Sequence, residues 1–177
     1  MVSFTGMFEK ALEFALEKHK GQYRKNTHIP YYWHPINVAK NIEEFKASKN
    51  IELLMTAALL HDTVEDCKNV TLEKIAKKFG YMVASLVDEL TSDEKEITKI
   101  GKTEYLKNKM TKLSSYGLVI KLSDRLDNVR SLKETTKQFQ EKYTKETKDI
   151  LDHLESWVRK LTQTHKKLIE KIREALK

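Results

Sequence analysis

The chain has 177 residues, 33 Lys and Arg against 26 Asp and Glu, five glycines, two prolines and one cysteine. That length suits one compact domain with a sizeable core, and the scarcity of Gly and Pro favours helices on short connections over a turn-rich sheet. The lone Cys67 excludes an internal disulfide and a Cys-rich zinc site, and the net charge of +7 suits an anionic ligand without choosing among nucleotide, nucleic acid and membrane surface.

No N-terminal stretch has the basic start, apolar centre and small-residue cleavage site of a signal peptide. The longest apolar run, Leu53 to Leu60 interrupted by Thr56, is too short to span a bilayer. The expectation is a soluble, cytoplasmic protein whose Cys67 stays reduced and inert.

Residues 4–20 place Phe4, Met7, Phe8, Ala11, Leu12, Ala15 and Leu16 at helical spacing, and Gly21 ends that helix. The loop 21–33, GQYRKNTHIPYYW, has a basic centre at Arg24-Lys25 and leads to His34-Pro35. Pro is well tolerated at a helix start, so His34 lies near a helix N-terminus. Residues 51–66, IELLMTAALLHDTVED, read as a central buried helix running from about Asn50 to Thr63–Asp66 and closing on His61, Asp62, Glu65 and Asp66. Thr71 is the expected N-cap of the next helix and Gly80 its stop. Residues 81–90 follow as a helix with Met82, Val83, Leu86, Val87 and Leu90 inward. Residues 91–102 read as a polar connector, the best candidate for a flap, and 103–115 as an amphipathic helix.

LVIKLSDRLDNVRSL, 118–132, puts Val119, Leu122, Leu126 and Val129 on one stripe. Asp124, Asp127, Asn128 and Ser131 gather on the other side, a face read as free of Lys. From 138 onward Phe139, Tyr143, Ile150, Leu151, Leu154, Trp157, Val158, Leu161, Leu168, Ile169, Ile172 and Leu176 recur at helical spacing, as one long helix or two broken near Thr162–Thr164. The expected architecture is all-α, a single domain over 1–177 with its core at about 4–136. The C-terminal helices, about 138–177, are expected to wrap the core or to form a subunit contact, with a homodimer as the candidate assembly. The basic run near the C-terminus is read as a solvated helix face rather than a nucleic-acid site.

Ionised carboxylates at the end of a buried helix need compensation, and a divalent cation bound by carboxylate and imidazole supplies it. His61 and Asp62 leave one helix about 100° apart, so an ion between them needs donors from elsewhere. His34 and Asp124 are well suited. Two imidazoles and two carboxylates with positions left for water fit Mn²⁺, Fe²⁺ or Mg²⁺ better than a closed zinc site. Glu65 and Asp66, one turn further on, are placed to position or deprotonate an attacking water.

GQYRKNTHIPYYWHPINVA, AALLHDTVEDCKNVTLEKIAKKFG and VIKLSDRLDNVRSL, in that order, resemble the HD-superfamily metal phosphohydrolases, most closely the hydrolase domain of the RelA/SpoT alarmone enzymes and their small stand-alone relatives. The resemblance runs from about Phe8 to about Leu132. It implies an all-helical HD domain with one Mn²⁺ held by His34, His61, Asp62 and Asp124, and Glu65 and Asp66 as the catalytic acidic pair. It further implies Arg24 and Lys25 as the basic pair that meets purine and phosphate, Asn128 beside the guanine, and Tyr143 near the substrate. The implied reaction removes the 3′-pyrophosphate of guanosine tetra- or pentaphosphate to give GDP or GTP and pyrophosphate.

Departures lie at Trp33, read as packing, at Ser131, where the long enzymes have Thr on the substrate side, and at Asp127, which adds charge near the base site. The alternatives are another HD nucleotidase or phosphodiesterase and a non-catalytic nucleotide-binding module.

Overall fold

The computed structural model describes residues 6–25, 27–157 and 160–177; Phe4 and Val158 lie outside them. Helices dominate, and the described residues contain no strand, only an isolated antiparallel bridge between Tyr23 and Pro30. The chain divides into two compact units, Met1–Thr91 and Ser92–Lys177.

The first unit holds α1 (Met7–Lys18), α2 (Trp33–Phe45), α3 (Ile51–Leu60), α4 (Thr63–Asp66), α5 (Leu72–Phe79) and α6 (Tyr81–Leu90). Helix α3 is its centre and packs against α1, α2 and α6. Leu54, Ala57, Ala58, Leu59 and Leu60 are all inaccessible to solvent, as a helix apolar on every side requires. Burying a leucine of this kind contributes about 2 kcal/mol.

The helix ends with its apolar run at Leu60, earlier than the expected Thr63–Asp66. His61 Nδ1 donates to the Ala58 carbonyl at 2.7 Å and Thr63 Oγ1 to the Leu60 carbonyl at 2.7 Å. Side chains thereby satisfy carbonyls at the end of α3, so His61 and Asp62 sit in a turn and α4 starts afresh. Thr71 caps α5 by accepting from the Lys74 amide, and Gly80 at φ 89°, ψ 159° both ends α5 and starts α6. That backbone region is almost restricted to glycine. On α6 the buried stripe is Val83, Leu86, Val87 and Leu90, complete at i, i+3, i+4 and i+7. Met82, expected inward, is 64% exposed, because it falls beyond the edge of that stripe in the first turn.

The second unit holds α7 (Glu94–Ile100), α8 (Lys102–Lys112), α9 (Ser115–Arg130), α10 (Lys137–Trp157) and α11 (Gln163–Ala175), with a 3-10 turn at Leu132–Glu134. The stretch expected to be a polar connector therefore contains a helix. Asp93 caps it by accepting from the Lys95 and Glu96 amides, and its own amide donates to the Tyr105 hydroxyl at 2.8 Å. Helix α9 packs on α11, and α8 on α10. The expected break near Thr162 is present, with Thr162 and His165 forming a reciprocal cap for α11.

Candidate metal centre

In the first unit the first turn of α2 and the turn after α3 bring three side chains together. One donor atom each from His34, His61 and Asp62 lies within 4.8 Å of the others. His61 Nε2 is 3.0 Å and His34 Nε2 3.6 Å from Asp62 Oδ2. The imidazole rings meet edge to face at 5.2 Å, and both are buried. The bond from His61 Nδ1 to the Ala58 carbonyl has a clear direction, because a carbonyl only accepts. In the neutral ring this leaves the Nε2 lone pair on the Asp62 side, the arrangement a metal-ligating histidine needs. Two imidazole nitrogens and a carboxylate oxygen are a donor set that fits a divalent cation.

Glu65 and Asp66 lie on α4, exposed, one turn beyond Asp62. Loss of solvent on its inner side, then the carboxylates of Asp62 and Glu65, raise the Asp66 carboxyl above its ordinary value. Cys67 is buried and its thiol is pushed up, first by burial and then by Asp66, so it is poorly nucleophilic.

The loop carrying Arg24 and Lys25 is tied to itself. The Arg24 amide donates to the Ile29 carbonyl at 2.9 Å, and the Tyr31 amide to the Gln22 carbonyl at 2.9 Å. Trp33 does not pack as expected. It stays 44% exposed, against the Tyr32 ring, because the first turn of α2 leaves it on the outer side.

In the second unit Asp124 and Asp127 on α9 are buried, so that face is not a solvent face. The face also has a lysine. Lys121 Nζ lies 2.9 Å from Asp124 Oδ2, one turn earlier on the same helix, and Asn128 Nδ2 donates to Asp124 Oδ1 at 2.6 Å. Ser131 Oγ donates to the Asp127 carbonyl at 3.0 Å. Tyr143 lies under the Arg125 guanidinium at 5.0 Å and stacks on Phe139; burial pushes its hydroxyl up to about 12. Arg125 donates to Thr147 at 2.9 Å and to Glu146 at 3.3 Å, a buried pair.

Sequence reasoning missed Tyr31, Gln22, Lys121 and Arg125. Lys121 was readable from its i, i+3 spacing to Asp124, whereas Tyr31 and Gln22 lie in an aperiodic loop. The Tyr31 hydroxyl donates to Asp62 Oδ2 at 2.5 Å.

The family model for the HD domain matches residues 11–156. The chain belongs to the HD-domain family. This HD-domain protein is 38% identical over 154 residues to the guanosine-3′,5′-bis(diphosphate) 3′-pyrophosphohydrolase of Aquifex aeolicus, a match covering 80% of this chain and 20% of that protein. It is 38% identical over 137 residues to the guanosine-3′,5′-bis(diphosphate) 3′-pyrophosphohydrolase MESH1 of Xenopus tropicalis, covering 77% of this chain and 75% of that one. A solved structure of a metazoan ortholog of SpoT, described as hydrolysing ppGpp with a role in starvation responses, matches this HD-domain protein with a TM-score of 0.80. The two are 31% identical, and the match covers 98% of each chain. Among the described residues no helix is long and apolar enough to cross a membrane.

Proposed function

We propose that the chain is a Mn²⁺-dependent hydrolase that removes the 3′-pyrophosphate of guanosine tetra- or pentaphosphate. The observation that carries this reading is the end-to-end likeness to a ppGpp-hydrolysing structure in a chain whose His34, His61 and Asp62 donors converge. His34, His61 and Asp62 hold the cation, and Asp124 is proposed as the fourth ligand from the order of motifs. When bound there, a divalent cation would supply Lewis acidity and would lower the pKa of water.

Glu65 and Asp66 orient the attacking water and take its proton. The raised Asp66 carboxyl is suited to hold that proton and pass it on to the departing 3′ oxygen. Water adds to the phosphorus bonded to the ribose 3′ oxygen, the 3′ oxygen–phosphorus bond breaks, and GDP or GTP leaves with pyrophosphate. Arg24 offers a planar guanidinium for stacking or a phosphate fork, and Lys25 a point charge for phosphate. Asn128 and Ser131 are proposed contacts on the base side, and Tyr143 through its hydroxyl. A cytoplasmic location and a homodimer through the C-terminal helices complete the reading, with light scattering as the check on the dimer.

Incubation with guanosine tetraphosphate and Mn²⁺ tests it. Pyrophosphate and GDP are the expected products. Release of single phosphate from 5′-monophosphates, with guanosine tetraphosphate untouched, overturns the substrate in favour of a nucleotidase.

A further inference from the structure

Among the described residues, two side chains of the segment between α1 and α2, Tyr31 and Gln22, bond to the His61–Asp66 stretch, and neither is itself in the donor set. The Tyr31 hydroxyl donates to Asp62 Oδ2, the oxygen that both imidazole Nε2 atoms face. Gln22 Nε2 donates to the Asp66 carbonyl at 2.9 Å. The carbonyl fixes the orientation of the Gln22 amide, so its Oε1 faces His19 Nδ1 at 2.7 Å and that nitrogen carries the proton. His19 is fully buried, with its ring against Tyr31 at 4.9 Å, and the Cys67 sulfur fills the space 3.6 Å from its Nδ1. The two attachments share one base, because the Tyr31 amide is bonded to the Gln22 carbonyl.

We propose that Tyr31 and the His19–Gln22 pair are positioning residues with separable tasks: Tyr31 sets the Asp62 carboxylate for a divalent cation, and Gln22, held by His19, sets the backbone that carries Glu65 and Asp66. The proposal rests on the reading of Asp62 as a metal ligand and of Glu65 and Asp66 as the water-handling pair. A phenol hydrogen bond to a carboxylate is short and charge-assisted, so it fixes which way the carboxylate turns. Partners of this kind alter metal affinity by roughly 10- to 100-fold. The Asp66 carbonyl closes a helix of one turn, where carbonyls lack partners from the helix itself, so Gln22 supplies what the helix cannot.

Calorimetric titration with Mn²⁺ alone, amide hydrogen exchange at Asp66 and Cys67, and kcat and KM on guanosine tetraphosphate test the division of tasks. Tyr31→Phe is expected to raise the Mn²⁺ Kd by about 10- to 100-fold with exchange at Asp66 and Cys67 unchanged and kcat retained at saturating Mn²⁺. Gln22→Leu is expected to keep the Mn²⁺ Kd. Its Asp66 and Cys67 amides should exchange about tenfold faster, and kcat should fall about tenfold with KM unchanged. Gln22→Glu keeps an acceptor for His19 but loses the donor to Asp66, so it should behave like Gln22→Leu and decides the matter if that variant does not fold. An unchanged Mn²⁺ Kd in Tyr31→Phe, unchanged exchange in the Gln22 variants, or both effects appearing together in either overturns the proposal. Calorimetry and exchange need no turnover, so failure of the substrate reading leaves a separate mark.

Discussion

Asp62 and Asp124 are both aspartates largely withdrawn from solvent, and the two units treat them differently. Asp62 is met by a phenol and two imidazoles, and the imidazoles belong to the same candidate donor set. Asp124 is met by the ammonium of Lys121 and the amide of Asn128. The first carboxylate is ready for a cation with its neighbours in place. The second meets an ammonium and an amide from its own helix, and a cation there would compete with Lys121. A buried carboxylate is thus not by itself a ligand; its neighbours decide what it can take up.

The largest expected effect is at the first of these. Asp62→Ala should abolish both Mn²⁺ binding in calorimetry and pyrophosphate release, because it deletes a donor. Glu65→Ala should keep Mn²⁺ binding and lose on the order of 10²-fold in kcat, as general-base help is lost; full activity would remove the water-handling role. Lys121→Met sharpens the comparison directly. If Asp124 is a ligand, removing its ammonium should tighten Mn²⁺ binding several-fold, on the order of 1 kcal/mol, while lowering the melting temperature of the metal-free protein. An unchanged Mn²⁺ Kd would remove Asp124 from the donor set. The smallest effect belongs to the helix that leads to Asp62. Thr56 is fully buried in α3, and its hydroxyl has no hydrogen-bond partner among the described residues, so Thr56→Val should raise stability by about 1 kcal/mol in denaturant unfolding.

Much of the helical framework was legible because its signals are local. Thr71, Gly80 and Thr162 mark helix ends through their own hydroxyls or backbone, and the stripe Val119, Leu122, Leu126 and Val129 is buried as its spacing requires. The pairing of His61 with Asp62 was legible as a motif. The turn that carries them was not, since it depends on two side chains bonding backward to the Ala58 and Leu60 carbonyls. Met82 was misplaced because periodicity gives a stripe its direction but not its width, and Trp33 because it lies where an aperiodic loop enters α2.

Helix content, the buried character of α3 and the order of the acidic motifs were determined by the sequence itself, because they follow from contacts within a few residues. Tertiary structure alone decided that His34 meets His61 and Asp62 and that Tyr31 and Gln22 reach the acidic stretch from a distant loop. Those relations join residues far apart along the chain, and no local preference encodes them.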